Sequence, residues 1–506
     1  MKKTVFIKNA IILTATGLIL RFAGIIFKVW LAALIGSEGI GLYQLIFSVY
    51  VLASTFASSG ISTAVTRLVA EELALGSKRG TLKILRRSLE ITLIIALITV
   101  IIVYFGADFI AVKLLGDIRA AESLKILPLS LPFMGISSCL RGYFIARRKI
   151  TPNAATQIFE QAIRIGIVYI LVKSFISKGI SAACKAVILG DVLAEALACI
   201  MLYFVYTADK RKLNLSGRNR PNYPIVKKIL HISMPITSGR YLNSLLRTGE
   251  NILVPKNLAK YPLSSENALS QFGMIKGMAL PILFFPSAIL NSVSTLLIPE
   301  MSEAKACGRD GIVSSATRNI LKLTAIISFI FGGIFFVAGE EIGWLIYKEK
   351  DVGYLIKALS PIVPLMYLDS ISDGILKGLD QQIFSFRTAI SDSAIRIVLI
   401  ISLLPLFGLD GFIGIMYFSN FLTCFLNVGR LLKVSHAKLF FGKEIILPLC
   451  SAVTVSIFSK YILLFLPINN ILVYIIFLSI ISISLYFVIL FFFGIVEIDD
   501  IHNILK

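Results

Sequence analysis

Residues that support metal or enzyme chemistry are scarce in this chain of 506 residues. Its three histidines stand far apart, and its six cysteines are scattered without CxxC spacing. The sequence also contains no Walker phosphate-binding loop, no GxGxxG motif and no nucleophile elbow. We therefore expect no metal site, no cofactor and no enzymatic activity, and we interpret the cysteines as small core residues.

Charged residues are also few, at 16% of the chain, whereas 57% of the residues are hydrophobic. Uncharged apolar stretches such as Ile91–Ala107 and Ile471–Val496 approach or exceed the roughly 20 residues that a helix needs to cross a bilayer. The basic start "MKKTVFIKNAIILTATG" precedes an apolar run that continues past Arg21 without a small-residue cleavage pattern. We expect this run to be a retained first span of a multi-pass, all-α membrane protein.

Fourteen transmembrane helices are predicted from the apolar runs and the charged or Gly/Pro-rich connections between them. They lie near 8–35, 41–69, 88–107, 124–146, 153–173, 180–207, 226–255, 270–299, 319–339, 355–376, 386–406, 411–432, 444–466 and 470–496. The formal charge of +21 is explained by Lys and Arg that gather in alternate connections, and nucleic acid is not needed to account for it. This asymmetry predicts that both termini are cytoplasmic.

An internal repeat relates the two halves of the chain. A shift of 232 positions places Pro132 on Pro364 and Gly142 on Gly374, and "EQAIRI" at 160–165 falls on "DSAIRI" at 392–397. Six spans per repeat predict two six-helix bundles related by a pseudo-two-fold axis along the membrane normal. The predicted domains are 1–208 and 229–440 for the two lobes, 209–228 for a basic cytoplasmic linker, and 441–506 for two extra helices and a short cytoplasmic tail.

Several predicted spans carry ionisable residues, each of which is costly inside a bilayer. Arg67, Arg141 and Lys377 lie near predicted span ends, where snorkelling to the interface is expected. The deeper cations and acids are Arg21, Lys28, Glu160, Arg164, Arg247, Glu250, Lys276, Asp369, Asp373, Asp392 and Arg396. For Glu160 with Arg164 and Asp392 with Arg396, the four-residue spacing also fits internal ion pairs that tie helices together.

A surplus of cations facing a water-filled cleft suits an anionic ligand, because guanidinium groups bind phosphate oxygens in a forked geometry. We therefore predict that Arg21, Lys28, Arg164, Arg247, Lys276 and Arg396 bind a phosphate or pyrophosphate group in a central cavity. Glu160, Glu250, Asp369, Asp373 and Asp392 fit two roles equally. They form charge pairs, or they bind a cation or proton that powers a conformational cycle.

"GSEGIGLYQLIFSVYVLASTFASSGISTAVTRLVAEE" at Gly36–Glu72 and "LLIPEMSEA" at Leu296–Ala304 resemble the polysaccharide-transporter branch of the multidrug/oligosaccharidyl-lipid/polysaccharide exporter superfamily, which includes the lipid II flippases. The resemblance implies that an undecaprenyl-pyrophosphate-linked glycan moves between leaflets by alternating access. It implies cavity-lining roles for Arg21 and Lys28 in the first span and for Lys276 in the eighth, with Arg67 the only match in the second. It also implies that the last two helices form an apolar groove for the lipid tail.

The predicted function is therefore a secondary-active flippase of the cell membrane. The resemblance implies a role in spore envelope or cortex synthesis, and we expect a monomer whose cycle uses a coupling cation or the membrane potential. The alternative function is a multidrug cation antiporter of the same superfamily. This alternative predicts about twelve spans and a carboxylate-rich cleft. A non-transporting envelope scaffold explains the hydropathy and leaves the paired charges of the repeats unexplained.

Overall fold

The computed structural model describes residues 2–58, 60–211, 224–262, 265–465 and 470–495, and every regular element in these ranges is a helix. Most of the predicted linker, at residues 212–223, and the predicted cytoplasmic tail lie outside the described residues. The described chain divides into two compact units, which are Met1–Phe27 with Ile35–Gly273 (unit 1) and Lys28–Leu34 with Met274–Lys506 (unit 2).

The first nine helices are α1 Lys2–Ser58, α2 Ile61–Ala74, α3 Lys78–Phe109, α4 Ala121–Ile126, α5 Leu131–Ala146, α6 Thr151–Phe175, α7 Ile180–Arg211, α8 Ile225–Leu258 and α9 Ser265–Gly273. A π-helical turn, Ile110–Leu115, continues α3, and a 3-10 turn, Leu127–Ser130, leads into α5. Gly36, at φ 72° and ψ 177°, breaks α1 between the first and second predicted spans. This left-handed φ favours glycine, which has no Cβ to clash.

The remaining helices are α10 Leu280–Phe284, α11 Ser287–Ala306, α12 Asp310–Tyr347, α13 Lys350–Leu359, α14 Val363–Gly378, α15 Gln382–Ser435, α16 Leu447–Leu464 and α17 Ile471–Phe492. π-helical segments precede α10, at Met274–Ala279, and α16, at Phe441–Ile446. Gly408, at φ 54° and ψ −128°, breaks α15 between two predicted spans. The long apolar runs therefore fold as the helices that their composition predicts.

Nine helical stretches in the described ranges are long and apolar enough to cross a membrane, and the chain is a multi-pass membrane protein. Two of the nine, at Ala15–Ala74 and Gln382–Ser435, each cover two of the predicted spans, although Ala15–Ala74 begins seven residues after the predicted start of the first span. Three other predicted spans, at 153–173, 226–255 and 270–299, coincide with α6, α8 and α9–α11, which are not among these nine stretches. The total of fourteen and the pseudo-two-fold axis stay predictions.

The core of unit 1 forms where α2, α3, α5, α7 and α8 meet around the buried rings of Tyr143 and Phe144. The unit also includes α8 and α9, which the repeat assigns to the second lobe. One reason is a close approach at Gly60, whose φ is 79° and whose missing Cβ leaves room for the Ser233 carbonyl and the Thr237 hydroxyl of α8. The predicted lobe boundaries, drawn from the repeat, stay a prediction.

In unit 2, α12 packs against α13, α14, α16 and α17. Gly343 of α12 faces Gly353 of α13 so closely that a Cβ on either residue would overlap the backbone of the other helix. Small residues allow such close helix packing in membranes, where the hydrophobic effect does not drive helices together. The contacts of α16 and α17 with α12 dock these two extra helices on the central helix of unit 2.

Candidate functional site

Unit 1 contains a polar cavity of about 740 Å³ between α1, α2, α5 and α8. Eight of its sixteen lining residues are serine or threonine, three are asparagine or glutamine, and two are arginine. The apolar part of the wall consists of Phe47, Val51 and Met134. Among the described residues that line the cavity, none is aspartate or glutamate. The cavity therefore offers hydrogen-bond donors and positive charge without a competing carboxylate in its wall.

One face of α8 supplies both lining arginines. The lining positions on this helix repeat every three or four residues, as one side of an α-helix requires, at Arg240, Asn243, Ser244, Arg247, Thr248 and Asn251. Arg247 Nε donates a hydrogen bond of 3.2 Å to Asn243 Oδ1. Within the described part of the chain, no carboxylate forms an ion pair with Arg240 or Arg247, so both guanidinium charges remain available to an anion.

Hydrogen bonds between side chains and backbone hold α8 against α1 beside this cavity. Thr248 Oγ1 donates to the Ser48 carbonyl at 3.1 Å, and Asn251 Nδ2 donates to Ser48 Oγ at 2.9 Å. Further along, the Tyr241 hydroxyl donates to the Phe56 carbonyl at 3.2 Å, and the two rings stack with centroids 4.2 Å apart. These contacts hold α8 in an orientation in which the face that carries the arginines points toward α1.

A network of charges crosses α5, α6 and α7 elsewhere in unit 1. Glu160 accepts from Arg141 Nη2 at 2.8 Å and from Arg164 Nη2 at 2.6 Å, one guanidinium on each oxygen. Arg164 Nε also lies 3.2 Å from Asp191 Oδ1. The Tyr43 hydroxyl of α1 donates to the other oxygen of this carboxylate at 3.4 Å. The predicted pairing of Glu160 with Arg164 is present, and both side chains are largely buried.

Two acids of this network, Asp191 and Glu195, were not among the predicted site residues. Glu195 is buried, and its carboxyl group faces that of Glu160. Their spacing of four residues inside the predicted span 180–207 is the sequence signal that identifies them. The snorkelling expected of Arg141 is wrong, because Glu160, nineteen residues later, draws its guanidinium into the network.

Unit 2 contains a second polar cluster, on α14 and α15. Arg396 Nη1 lies 3.7 Å from Asp392 Oδ2, so the predicted spacing again produces an ion pair, and Ser419 donates to Asp392 at 2.6 Å. Asn427 donates to Asp369 at 2.7 Å. On the same face of α14 as Asp369, Asp373 pairs with the exposed Lys377 at 2.5 Å. The cluster therefore collects three of the predicted acids.

The other predicted site residues lie apart from these clusters. Arg21 and Lys28 have exposed side chains on α1, and Arg21 is not among the residues that line the cavity of unit 1. Glu250 is buried on α8, and Lys276 is half-buried on the π-helical segment before α10. Of the six predicted cations, the cavity of unit 1 therefore includes Arg247 alone.

Comparisons with known proteins agree with this architecture. The model of a family described as "Polysaccharide biosynthesis protein" matches residues 6–305. The chain is 30% identical to stage V sporulation protein B of Bacillus subtilis (strain 168) over 384 residues, which cover 75% of this chain and 74% of that protein.

Solved structures of two kinds of transporter share the fold. A lipid II flippase MurJ in an inward closed conformation is similar with a TM-score of 0.70 at 16% identity, over 95% of this chain and 98% of that one. An inward-facing multidrug resistance MATE family transporter is similar with a TM-score of 0.62 at 14% identity, over 85% and 100%. At these identities the likeness establishes the fold alone.

Proposed function

The chain belongs to the polysaccharide biosynthesis protein family, and from this premise we propose that it is a flippase for an anionic, lipid-linked saccharide. The observation that carries the proposal is the cavity of unit 1, which combines two arginines with hydroxyl and amide side chains and has no carboxylate in its wall. A substrate that fits this chemistry has a negatively charged group next to several hydroxyls. An undecaprenyl-pyrophosphate-linked glycan or a peptidoglycan precursor related to lipid II has both.

The arginines suit the pyrophosphate. A seven-residue separation places Arg240 and Arg247 about 10.5 Å apart along the axis of α8, at 1.5 Å per residue. Each planar guanidinium can donate two parallel hydrogen bonds to phosphate oxygens, which a lysine ammonium cannot do. The serine, threonine and amide side chains of the same wall suit sugar hydroxyls because they both donate and accept hydrogen bonds.

We assign the other predicted cations different roles within this proposal. The exposed Arg21 and Lys28 of α1, and Lys276, stay candidate anion-binding groups within their own units. Arg164 and Arg396 are neutralised by carboxylates and belong to the two charge clusters, where Glu160, Asp369, Asp373 and Asp392 are candidates for ion coupling. Glu250, buried on α8, is assigned with these acids.

The proposed topology has fourteen spans, as two six-helix bundles and two extra helices, with both termini in the cytoplasm. We propose that the protein works as a monomer without a cofactor and that the head group crosses between the bundles by alternating access while the prenyl chain stays in lipid. The similarity to stage V sporulation protein B supports a role in sporulation, and we propose that this role is spore envelope or cortex synthesis. A multidrug cation antiporter is the second candidate, which the acids of unit 2 favour and the carboxylate-free cavity of unit 1 opposes.

Reconstitution distinguishes the two candidates. Purified protein in lipid vesicles is supplied with a fluorescent undecaprenyl diphosphate-linked disaccharide, and the fraction in each leaflet is followed with a membrane-impermeant quencher. We expect flipping by the intact protein and about tenfold slower flipping by Arg247→Ala, since a hydrogen bond to a charged group contributes about 1.5–3 kcal/mol. The matched control is Arg86→Ala, which removes an exposed arginine of α3.

The flippase and the antiporter predict different results in this assay. If the vesicles move an organic cation and leave the labelled lipid where it was, the antiporter replaces the flippase. If the intact protein and Arg247→Ala flip the lipid at equal rates, the protein is a flippase whose anion site is not the cavity of unit 1.

A further inference from the structure

The charge network of unit 1 contains more acids than bases. Its members on α5, α6 and α7 are two guanidinium groups, from Arg141 and Arg164, and three carboxyl groups, from Glu160, Asp191 and Glu195. The two arginines bind Glu160 and Asp191 at 2.6 to 3.2 Å. Since these contacts use both positive charges, the third carboxyl group has no cationic partner at ion-pair distance in the part of the chain that the structure describes.

Glu195 is that third group. It is 7% exposed, its Oε1 atom has no hydrogen-bond partner among the described residues, and its carboxyl group faces that of Glu160. A buried carboxylate without a partner is costly, and two carboxylates in contact repel each other. The titratable and charged groups that face Glu195 from its own and the neighbouring helices are Tyr50, Arg141, Glu160, Arg164, Asp191 and Cys199.

A bound proton neutralises the surplus negative charge of this network better than a metal cation does. Within the described residues, no group of three or more Asp, Glu, His or Cys side chains is arranged to hold a metal ion. A single proton shared by Glu160 and Glu195 converts the contact between two like charges into a hydrogen bond, with the carboxylic acid as donor and the carboxylate as acceptor. Glu160 keeps its negative charge for Arg141 and Arg164, and the network becomes neutral.

The internal repeat gives independent support. A shift of 232 positions places Glu195 on Asn427, so the second half of the chain has a neutral amide where the first has a glutamate. Asn427 donates a hydrogen bond of 2.7 Å to the Asp369 carboxylate. The acceptor differs, because the same shift places Glu160 on Asp392 and Ser137 on Asp369. The repeat therefore supports a neutral group at position 195, as a protonated Glu195 would be, and not the identity of its partner.

We propose that the Glu160 and Glu195 carboxyl groups of unit 1 share one proton and that this pair is the proton-binding site of the transport cycle, a role that rests on the proposed flippase function. Release of the proton passes it to water on the side to which the site opens. The Glu195 carboxylate that remains then competes with Glu160 and Asp191 for Arg141 and Arg164. Proton binding and release thereby rearrange the contacts among α5, α6 and α7.

Infrared spectroscopy of the purified protein tests the shared proton without any transport. At neutral pH, the wild-type spectrum minus that of Glu195→Gln should contain the C=O stretching band of a protonated carboxylic acid. The matched control is Glu122→Gln, which removes an exposed glutamate that pairs with Lys185, and its difference spectrum should contain carboxylate bands only. Carboxylate bands alone for Glu195→Gln would overturn the proposal.

Two further measurements test the shared proton even if Glu195→Gln folds poorly. Glu195→Gln keeps the shape and charge of the protonated acid, so the melting temperature should change little, whereas Asp191→Asn should lower it. Loss of folding in Glu195→Gln, with Asp191→Asn unaffected, contradicts a neutral Glu195. In the wild-type protein, isotope-labelled glutamate should shift the carboxylic acid band, and a band that does not shift assigns the proton to another residue type and overturns the proposal.

The coupling role is tested in the vesicles described above, with and without a pH gradient. We expect the gradient to change the flipping rate of the wild-type protein and of Glu122→Gln several-fold, and to leave that of Glu195→Gln unchanged. If the wild-type protein flips lipid at a rate that ignores the gradient, the coupling role fails and the flippase function stands. If nothing flips while the infrared result holds, the flippase function fails and the proton site stands.

Discussion

Arg318 of α12 binds Glu444, which lies 126 residues further along the chain in the segment before α16. The Nη2 atom of the arginine lies 2.6 Å from Oε1 of the glutamate, and its Nε atom donates to the same oxygen at 2.7 Å. The other carboxylate oxygen accepts from the Phe440 amide at 3.0 Å, and the guanidinium lies over the Phe440 ring at 5.0 Å. One buried carboxylate therefore fixes the start of the two extra helices to the central helix of unit 2.

Arg318→Ala should weaken the docking of α16 by about 2 kcal/mol, because among the described residues it leaves the buried Glu444 carboxylate with the Phe440 amide as its hydrogen-bond donor. The measurement is thermal unfolding in detergent together with proteolysis of the connection at 436–440, which should be cleaved faster. Arg86→Ala, whose arginine and partner are more exposed, is the control and should melt like the wild type. Equal melting curves and equal cleavage for the two variants would show that apolar packing alone docks these helices.

Gly60→Ala should destabilise unit 1. Its φ of 79° costs a residue with a side chain roughly 1–2 kcal/mol, and the added methyl group would overlap the Ser233 carbonyl. We expect a lower melting temperature and less folded protein after purification. Gly249→Ala on α8 is the matched control, because nothing lies within 4 Å of its added Cβ. A Gly60→Ala protein as stable as this control would mean that α8 is free to move away from the junction of α1 and α2.

The sequence predicts the helices well because the apolar runs and their breakers act locally. Gly36 and Gly408 stand at predicted boundaries, and the helices are broken at both residues. The membership of α8 in unit 1 depends on contacts that no periodicity reveals. Thr248 and Asn251 hydrogen-bond to Ser48, 200 and 203 residues earlier in the chain.

For the charged site, local spacing again predicts local pairs. Glu160 with Arg164 and Asp392 with Arg396 pair because residues four apart share one face of a helix. The partners that Glu160 finds on other helices depend on tertiary packing, and Arg141 is one of them. The four-residue spacing of Asp191 and Glu195 is visible in the sequence but was missed, whereas nothing in the sequence of α8 indicates that the face of Arg240 turns toward a cavity.

Glu160→Gln should destabilise the protein more than any other neutral substitution in the unit 1 network. The amide keeps the shape of the glutamate but removes the one charge that binds two partly buried guanidinium groups, from Arg141 and Arg164. Breaking a buried pair by neutralising one partner costs about 3–5 kcal/mol. Thermal unfolding should place Glu160→Gln well below Glu122→Gln, whose partner Lys185 stays solvated. A difference of less than about 1 kcal/mol between them would show that water has replaced the ion pairs.

Arg240→Lys should separate the forked binding of phosphate from simple attraction between charges. Lysine keeps the positive charge at the cavity of unit 1 but cannot donate two parallel hydrogen bonds to one phosphate group. In the vesicle assay we expect flipping several-fold slower than in the wild type and faster than in Arg240→Ala. Inorganic pyrophosphate should also compete less well with the lipid in the lysine variant, because it presents the same phosphate oxygens as the lipid head group.

If the lysine and alanine variants both flip as the wild type does, Arg240 makes no contact with the substrate. If lysine alone restores the full rate, the site attracts the anion through charge and needs no guanidinium fork.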